Sequence, residues 1–537
     1  MTAMTHTERL RVRLLGRPLG VTRRERVLGW LLPLAVAAVG GFLRFWHLGQ
    51  PHQLVFDETY YVKEAYSMLK VGYELRVPDS IKTPDAMFTA NTPDVFGTAP
   101  DLVVHPPVGK WVIAVGEHLF GVTSSFGWRF SVAVLGTLSI LMIGRVGRRL
   151  FRSTVLGTVA AILLCFEGVH FVHSRTGILD LIVMFWAFAG FAALLLDRDR
   201  SREILARRMG RTYDEADAAS QAPDAATARA LRYGPWLGWR PWRWVAAVCL
   251  GLATGTKWSG VFFLAAFTVM SVLWDMGARR AAGVRSWWRG ALTRDGVYGA
   301  AVLVLVAVGT YLASWVGWFR STGAYDRSWA ATHPSKHFAF VPDALRSLAQ
   351  YHREVYHFHV TLDSPHQYQS NPWSWLVIGR PTSFFYEGPK KGQGGCTVAQ
   401  CSKAIATMGT PTIWWGGTVA IAVLLFLWAL RRDWRAGAIL AGIAAGYLPW
   451  FHYQQRTIFT FYEVAFVPWM VLAVTFVLGL VIGRPAAAPV RRAVGWTLAS
   501  GFVLASVGLF AYFWPIYTAQ VIPYPQWLAR MWLPSWI

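Results

Sequence analysis

Apolar runs of about 20 residues recur along the whole chain, separated by short basic segments or by polar loops. A helix of that length spans the hydrocarbon core of a bilayer, where backbone polar groups must be hydrogen-bonded within the protein. Charged residues make up only 15% of the chain, whereas a soluble domain carries about 25%. The sequence therefore predicts an all-α polytopic membrane protein.

We predict eleven transmembrane helices from these runs. They lie at about 27–47, 127–147, 154–173, 177–197, 242–257, 259–275, 296–318, 411–430, 434–451, 458–482 and 493–516. Of the 52 Lys and Arg residues, 32 fall in segments that would share the N-terminal side of the membrane. Basic loops favour the cytoplasm, so the N-terminus is predicted to be cytoplasmic and the C-terminus external. The net charge of +23 follows from this bias and does not indicate nucleic-acid binding.

The predicted spans form two membrane modules joined by a large external loop. The divisions are a basic cytoplasmic N-terminus (1–26), an N-terminal module (27–318) that includes a first external loop (48–126), a second external loop (319–410) and a C-terminal module (411–537). The run from Lys110 to Phe120 is amphipathic and short for a span, so we expect an interfacial helix. The Ala-, Asp- and Arg-rich stretch Arg198–Trp236 is predicted to be flexible.

Cys396 and Cys401 lie close together in the second external loop. They are expected to form a small disulfide if that loop faces an oxidising compartment, and to be free thiols otherwise. The basic N-terminus leads into a run long enough to span, which predicts a signal anchor and not a cleavable signal peptide.

Asp57 and Glu58 are adjacent carboxylates just beyond the first predicted span. Acidic residues at the mouth of a membrane bundle are rare unless a base, a metal or a cation is needed there. Neighbouring residues on a helix point about 100° apart, so one carboxylate could act as a base while the other positions it. In the structural alternative, Asp57 caps the helix that begins near Thr59.

Four cations lie at different external turns or span ends: Arg129, Arg175, Lys257 and Arg456. Asp180 lies just inside the span that follows Arg175. Each cation alone is compatible with an anchor that snorkels to the membrane surface. Together they favour an anion site at the lipid–water boundary, where positive charge would stabilise a departing phosphate.

The external loops are also rich in His and aromatic residues. The pair in His357-Phe358-His359 suggests a metal, but the sequence contains no HExxH motif and no Cys/His metal spacing, so no metal is predicted. Trp373, Trp375 and Tyr386 are candidates for a sugar-stacking platform. An external carboxylate beside a phosphate site indicates transfer from a lipid-linked phosphate donor to an external acceptor.

Several strings occur in an order that resembles a known family. They are Phe56-Asp57-Glu58, His105-Pro106-Pro107-Val108-Gly109-Lys110, Gly127-Trp128-Arg129-Phe130, Leu179-Asp180, Gly255-Thr256-Lys257-Trp258-Ser259-Gly260, His366 to Trp373 and Tyr447 to Trp450. In combination they resemble the protein O-mannosyltransferases, which have the GT-C glycosyltransferase fold. The resemblance covers nearly all of the chain outside the N-terminus and Arg198–Trp236.

The resemblance implies a polyprenyl phosphomannose donor and a Ser or Thr hydroxyl acceptor on an unfolded or translocating polypeptide. It also implies inversion at the anomeric carbon, with no metal and no cofactor. Asp57 matches the catalytic base and Glu58 its partner. The donor phosphate is expected to be bound by Arg129, Arg175, Lys257 and Arg456. Other substrate contacts are expected from His105, Lys110, Asp180, His366 and Tyr368.

The chain departs from eukaryotic members in one respect. Those members carry a β-trefoil domain between the seventh and eighth spans, whereas the loop at 319–410 has only about 90 residues. The chain therefore resembles an actinobacterial member, expected in the plasma membrane with its active site on the extracytoplasmic side. Contact with the translocon is left open.

Two alternatives remain from the sequence. The first is a GT-C transferase of another lipid-linked sugar, such as arabinose. The second is a flippase for polyprenyl-phosphate sugars. The chain shows no inverted repeat, and its candidate charges cluster at one face, which argues against the flippase.

Overall fold

Helices account for most of the structure, a computed structural model that describes residues 4–16, 22–219 and 222–537. The α-helices are α1 (His6–Leu15), α2 (Arg23–Phe45), α3 (Glu58–Val71), α4 (Pro84–Thr89), α5 (Val108–Phe120), α6 (Ser125–Phe151), α7 (Thr154–Cys165), α8 (Gly168–His173), α9 (Asp180–Ala218), α10 (Ala225–Tyr233), α11 (Pro241–Thr256), α12 (Gly260–Ala281), α13 (Trp287–Ala291), α14 (Val297–Ser314), α15 (Val316–Arg320), α16 (Trp329–Thr332), α17 (Asp343–Thr361), α18 (Pro411–Arg431), α19 (Trp434–Tyr447), α20 (Val467–Ile482), α21 (Pro489–Tyr517) and α22 (Tyr524–Leu528). A π-helix lies at Leu292–Gly296, and 3₁₀-helices lie at Pro372–Val377, Leu448–Phe451, Thr460–Phe466 and Pro534–Trp536. The strands are β1 (Thr382–Glu387), β2 (Cys401–Thr407) and β3 (Val521–Pro523).

Eight helical segments within the described residues are long and apolar enough to cross a membrane, and each coincides with a predicted span. The other three predicted spans contain shorter helices, with 12 residues in α7, 16 in α11 and 14 in α19. The predicted span at 154–173 is interrupted by Glu167, whose carboxylate accepts hydrogen bonds from the first backbone N–H groups of α8. A polytopic helical architecture is thus confirmed, while eleven crossings and the side of each terminus stay predictions.

α9 forms the centre of the bundle. It is largely buried and packs against α6, α11 and α12. By contrast, α14, α18 and α21 direct apolar side chains such as Leu305, Val419 and Leu504 outward. Helices that are apolar on their exposed side are suited to contact lipid.

The stretch Arg198–Trp236 is largely helical in its described part, so the prediction of flexibility was wrong there. α9 continues to Ala218, and α10 follows. Leu205 and Met209 of α9 pack in one buried cluster with Leu10 and Leu14 of α1. These apolar residues are four apart and share one helix face, a pattern that the polar composition of the stretch concealed.

The second external loop folds into helices and two strands, which form a small sheet with β3 near the C-terminus; the all-α prediction omitted this sheet. β1 pairs with β2 and β2 with β3, both antiparallel. Cys396, in the connection between β1 and β2, forms a disulfide with Cys401, the first residue of β2. The structure thus contains the disulfide that the oxidising-compartment alternative predicted.

Candidate active site

The chain turns sharply at Phe56, immediately before α3. Phe56 has a φ of 50°, which a bulky residue rarely adopts. Its ring stacks on Phe384 of β1 at a centroid distance of 4.4 Å and meets Phe461 edge-on at 5.2 Å. This packing fixes the start of α3, where Asp57 makes no side-chain capping bond. The capping alternative for Asp57 is therefore wrong.

Glu58 is fully buried and completely paired. Its carboxylate accepts two bonds of 2.8 Å from Arg129 and further bonds from the backbone N–H groups of Val55 (2.9 Å) and Gly177 (2.7 Å). Arg129 uses its remaining donors on the carbonyls of residues 48, 51 and 53. All five guanidinium N–H donors are thus engaged, so the structure places this pair in the framework of the loop, with no free donor for a phosphate.

Asp57 lies in a different environment from its neighbour. Burial raises the pKa of its carboxyl to about 7; the Lys257 ammonium opposes that rise, and the Asp180 charge adds to it. A carboxyl poised near neutrality can accept a proton and release it again. Asp57 thus has the chemistry of a general base, and Glu58 holds the turn that carries it.

Lys257 and Asp180 form an ion pair beside Asp57. Lys257 Nζ lies 2.9 Å from Asp180 Oδ1 and 4.4 Å from the centroid of the Tyr462 ring. Asp180 Oδ2 is buried without a hydrogen-bond partner in the described structure. A buried polar atom that lacks a partner is uncommon, and here it marks a place for a ligand donor group.

Lys257 also lines a cavity of about 460 Å³, which we call the lateral cavity. Its apolar wall comes from α12 and α14, including Val261, Phe262 and Val308. Val261 and Val308 are also exposed on the outer surface of the bundle. The cavity therefore opens toward the lipid-facing side, while Lys257 and Arg456 provide positive charge at its polar end.

Three polar atoms at the lateral cavity are buried without a partner in the described residues: His105 Nδ1, His359 Nδ1 and Arg456 Nε. The two imidazole rings stack at 5.2 Å, and His359 Nε2 lies 2.9 Å from the carbonyl oxygen of Val104. Burial lowers the pKa of His105 well below its usual range and that of His359 to about 4. Both rings are therefore neutral at pH 7, and Nδ1 of His359 is free to accept a hydrogen bond.

Two other predicted residues do not line the lateral cavity and have structural partners instead. Arg175 donates from Nη1 to the carbonyls of Leu43 (3.1 Å), Arg44 (2.8 Å) and Trp46 (2.7 Å), which close the end of α2. Lys110 is buried, pairs with Glu74 and donates to the carbonyl of His105 at 2.9 Å. Lys110 thus positions His105, and Arg175 anchors the loop that leads to Asp57.

His366 and Tyr368 do not line the lateral cavity. The His366 ring meets Phe459 edge-on at 5.0 Å, and Phe459 in turn meets Phe56 edge-on at 6.3 Å. Tyr368 lines a second cavity of about 310 Å³ against the sheet, which we call the sheet cavity. Of the proposed stacking residues, Trp375 is buried, and Tyr386 lines the sheet cavity.

The sequence did not identify His352 and His359 as a functional pair. They are seven residues apart on α17, which places them on one helix face, and both line the lateral cavity. His357 is exposed on that helix, so the His357-Phe358-His359 string does not converge on one point. The seven-residue spacing was the signal that could have found them.

A candidate base beside Lys257, together with an apolar cavity that has cations at its polar end, fits the class of membrane-embedded transferases that use a lipid-linked donor. Comparison with known proteins narrows that class. A family model described as dolichyl-phosphate-mannose-protein mannosyltransferase matches residues 34–204, and one described as the C-terminal four TMM region of protein-O-mannosyltransferase matches 344–536. The chain belongs to the protein O-mannosyltransferase family.

Its relatives match along almost the whole chain. The polyprenol-phosphate-mannose–protein mannosyltransferase of Mycolicibacterium smegmatis is 36% identical over 95% of this chain and 94% of its own length. The Mycobacterium tuberculosis protein of that name is 35% identical, over 95% and 92%. The Saccharomyces cerevisiae protein O-mannosyltransferase complex bound to the sugar donor has the same fold. Its TM-score is 0.67 at 14% identity, over 98% of this chain and 94% of that one.

Proposed function

We propose that the protein transfers mannose from polyprenyl phosphomannose to Ser or Thr hydroxyls of polypeptides on the extracytoplasmic side of the plasma membrane. The names of the curated relatives support the donor and a protein acceptor. The observation that carries the mechanism is the position of Asp57 beside Lys257, which lines a cavity open to the lipid-facing surface.

In this mechanism, Asp57 accepts the proton of the acceptor hydroxyl while the hydroxyl oxygen bonds to the anomeric carbon. The bond between that carbon and the phosphate oxygen breaks, and polyprenyl phosphate departs with the electron pair. One carboxylate is sufficient for such an inverting displacement, whereas retention would require a second one as nucleophile. No metal or cofactor takes part in the proposal.

The phosphate and the sugar have separate contacts in this proposal. Lys257 and Arg456 stabilise the departing phosphate, because both cations line the lateral cavity. Arg456 Nε is also buried without a partner among the described residues. Asp180 Oδ2 and Nδ1 of His359 are placed to accept hydrogen bonds from sugar hydroxyls. The prenyl chain lies along the apolar wall formed by α12 and α14.

The test is the activity of Asp57→Asn with a Thr peptide and polyprenyl phosphomannose. We expect kcat to fall by about 10²–10⁴-fold, the usual contribution of a general base, with donor binding retained. Asp79→Asn is the matched control, because Asp79 is an exposed loop carboxylate whose one ion pair among the described residues is with Arg76.

The pH profile of the parent enzyme provides a second readout. Asp57 must be ionised to accept a proton, so kcat/KM is expected to rise with pH and to level off above about 7. A folded Asp57→Asn variant with full activity would refute the assignment of Asp57 as the base. The same holds if the variant keeps the pH dependence of kcat/KM of the parent.

A further inference from the structure

The sheet cavity lies close to the candidate base but is separate from the lateral cavity. A bulge in β1 between Ser383 and Phe385 turns the strand. Ser383 pairs with Ala406 and Tyr386 with Ala404, and these four residues form one wall of the cavity. Phe384, inside the bulge, stacks on Phe56 next to Asp57. One strand therefore contacts both the sheet cavity and the turn that carries the base.

A second set of aromatic contacts connects the turn that carries Asp57 with the sheet cavity. Phe459 lies between Phe56 and His366, and the His366 ring is 6.0 Å from Tyr368, which lines the sheet cavity. At the end of β1, Gln53 Nε2 donates to Glu387 at 3.2 Å, so the loop before Asp57 lies against the strand. An aromatic surface thus runs from the candidate base to the cavity.

The composition of the sheet cavity indicates what it can hold. Its lining is aromatic, aliphatic or small, with Trp527 and Tyr524 opposite the sheet, and it contains no charged side chain among the described residues. Its volume of about 310 Å³ is at the lower end of ligand pockets, which measure about 300–1,000 Å³. Tyr386 is exposed at its rim. The sheet cavity therefore suits uncharged side chains that reach it from the aqueous side.

We propose that the sheet cavity binds an apolar side chain of the acceptor polypeptide, near the Ser or Thr that is modified. The inference rests on the proposed function, since it assumes that the acceptor hydroxyl reaches Asp57. β1 is an edge strand of the sheet among the described residues. Strands lie about 4.8 Å apart and rise about 3.3 Å per residue. An extended acceptor that crosses the edge of β1 therefore places a residue near the modified one in the cavity.

The experiment measures the activity of the parent enzyme and of each variant with two acceptors. One is a peptide with a single Thr between apolar residues, and the other is N-acetylthreonine methylamide, which has no flanking residues. Ala406→Phe fills the cavity from the sheet, and Trp527→Ala removes its opposite wall. Ala331→Phe, on the exposed surface of α16, is the matched control.

We expect both cavity variants to raise KM for the flanked peptide by about tenfold or more, the scale of losing one buried anchor. Their kcat/KM for the small acceptor and their KM for the donor should equal those of the parent. Equal activity of parent and variants on the flanked peptide, or parallel loss on both acceptors, would overturn the proposal. Failure of the proposed function itself is distinct, because the parent would then mannosylate neither acceptor.

Discussion

At the scale of residues, the adjacent carboxylates Asp57 and Glu58 differ in how completely they are paired. A buried charge is tolerated when its hydrogen bonds and counter-ion are complete. Glu58 meets that condition through Arg129 and two backbone N–H groups. At the candidate site, by contrast, Asp180, His105, His359 and Arg456 each have a buried atom without a partner among the described residues, as do residues elsewhere in the bundle such as Glu117 and Glu463. Incomplete pairing, more than charge, thus distinguishes these four residues from the Glu58–Arg129 pair.

Arg129→Gln is expected to destabilise the protein by about 3–5 kcal/mol, because it leaves the Glu58 carboxylate buried without its counter-ion. Thermal or denaturant unfolding in detergent measures the loss. The double variant Glu58→Gln/Arg129→Gln should recover part of it, since no uncompensated charge remains. Arg456→Gln is the contrasting variant and should raise KM for the donor without loss of stability. If Arg129→Gln is as stable as the parent and only donor binding suffers, Arg129 binds phosphate after all.

The sequence located the charged residues of the site but not their pairing. Asp57, Asp180, Lys257 and Arg456 could be found because external charges next to spans are few in a membrane protein, whereas His105 was found through the family resemblance. The contact between Arg129 and Glu58 joins residues 71 positions apart, and no local pattern encodes such a distance. For the same reason, the sequence could not show that Arg175 and Lys110 hold loops.

At the scale of elements, α12 and α14 form the apolar wall that makes the lateral cavity accessible from lipid. Their periodicity predicted two spans. It did not predict a gap between them, because the gap depends on how the helices pack with α17. The interruption at Glu167 was also hidden, since α7 and α8 together are long enough to resemble one span.

Val308→Trp is expected to narrow the lateral opening and raise KM for a long-chain polyprenyl phosphomannose about tenfold, a typical cost of overpacking. A donor with a short prenyl chain should be affected less, because it needs less of the apolar wall. Val304→Trp is the control, since Val304 is exposed on the same helix but does not line the cavity. Equal effects of both variants, or of both donors, would contradict this position of the chain.

At the scale of the whole molecule, hydropathy was sufficient for the class of fold, and the order of motifs for the family. Neither hydropathy nor the order of motifs could predict the sheet, because its strands pair segments as distant as Ser402 and Ile522. The orientation rests on the distribution of basic residues and can be tested directly.

We expect His337→Cys, in the second external loop, to react with a membrane-impermeant maleimide on intact cells. Asp214→Cys, near the end of α9, should react only after permeabilisation. The native cysteines give a low background, because Cys165 and Cys249 are buried and the other two are paired. Labelling of Asp214→Cys on intact cells would reverse the predicted orientation.

The lateral cavity, which α12 and α14 line, also gives the lipid-linked donor a route to the site that is separate from the route of the polypeptide. Under the proposed function, polyprenyl phosphate can return directly to the leaflet that supplied the donor, with no passage through water. In the proposed binding along β1, the polypeptide arrives from the aqueous side, so its path does not cross that of the carrier. A new donor molecule can therefore enter from the bilayer while a polypeptide stays bound. Neighbouring hydroxyls on one polypeptide can then be modified in succession.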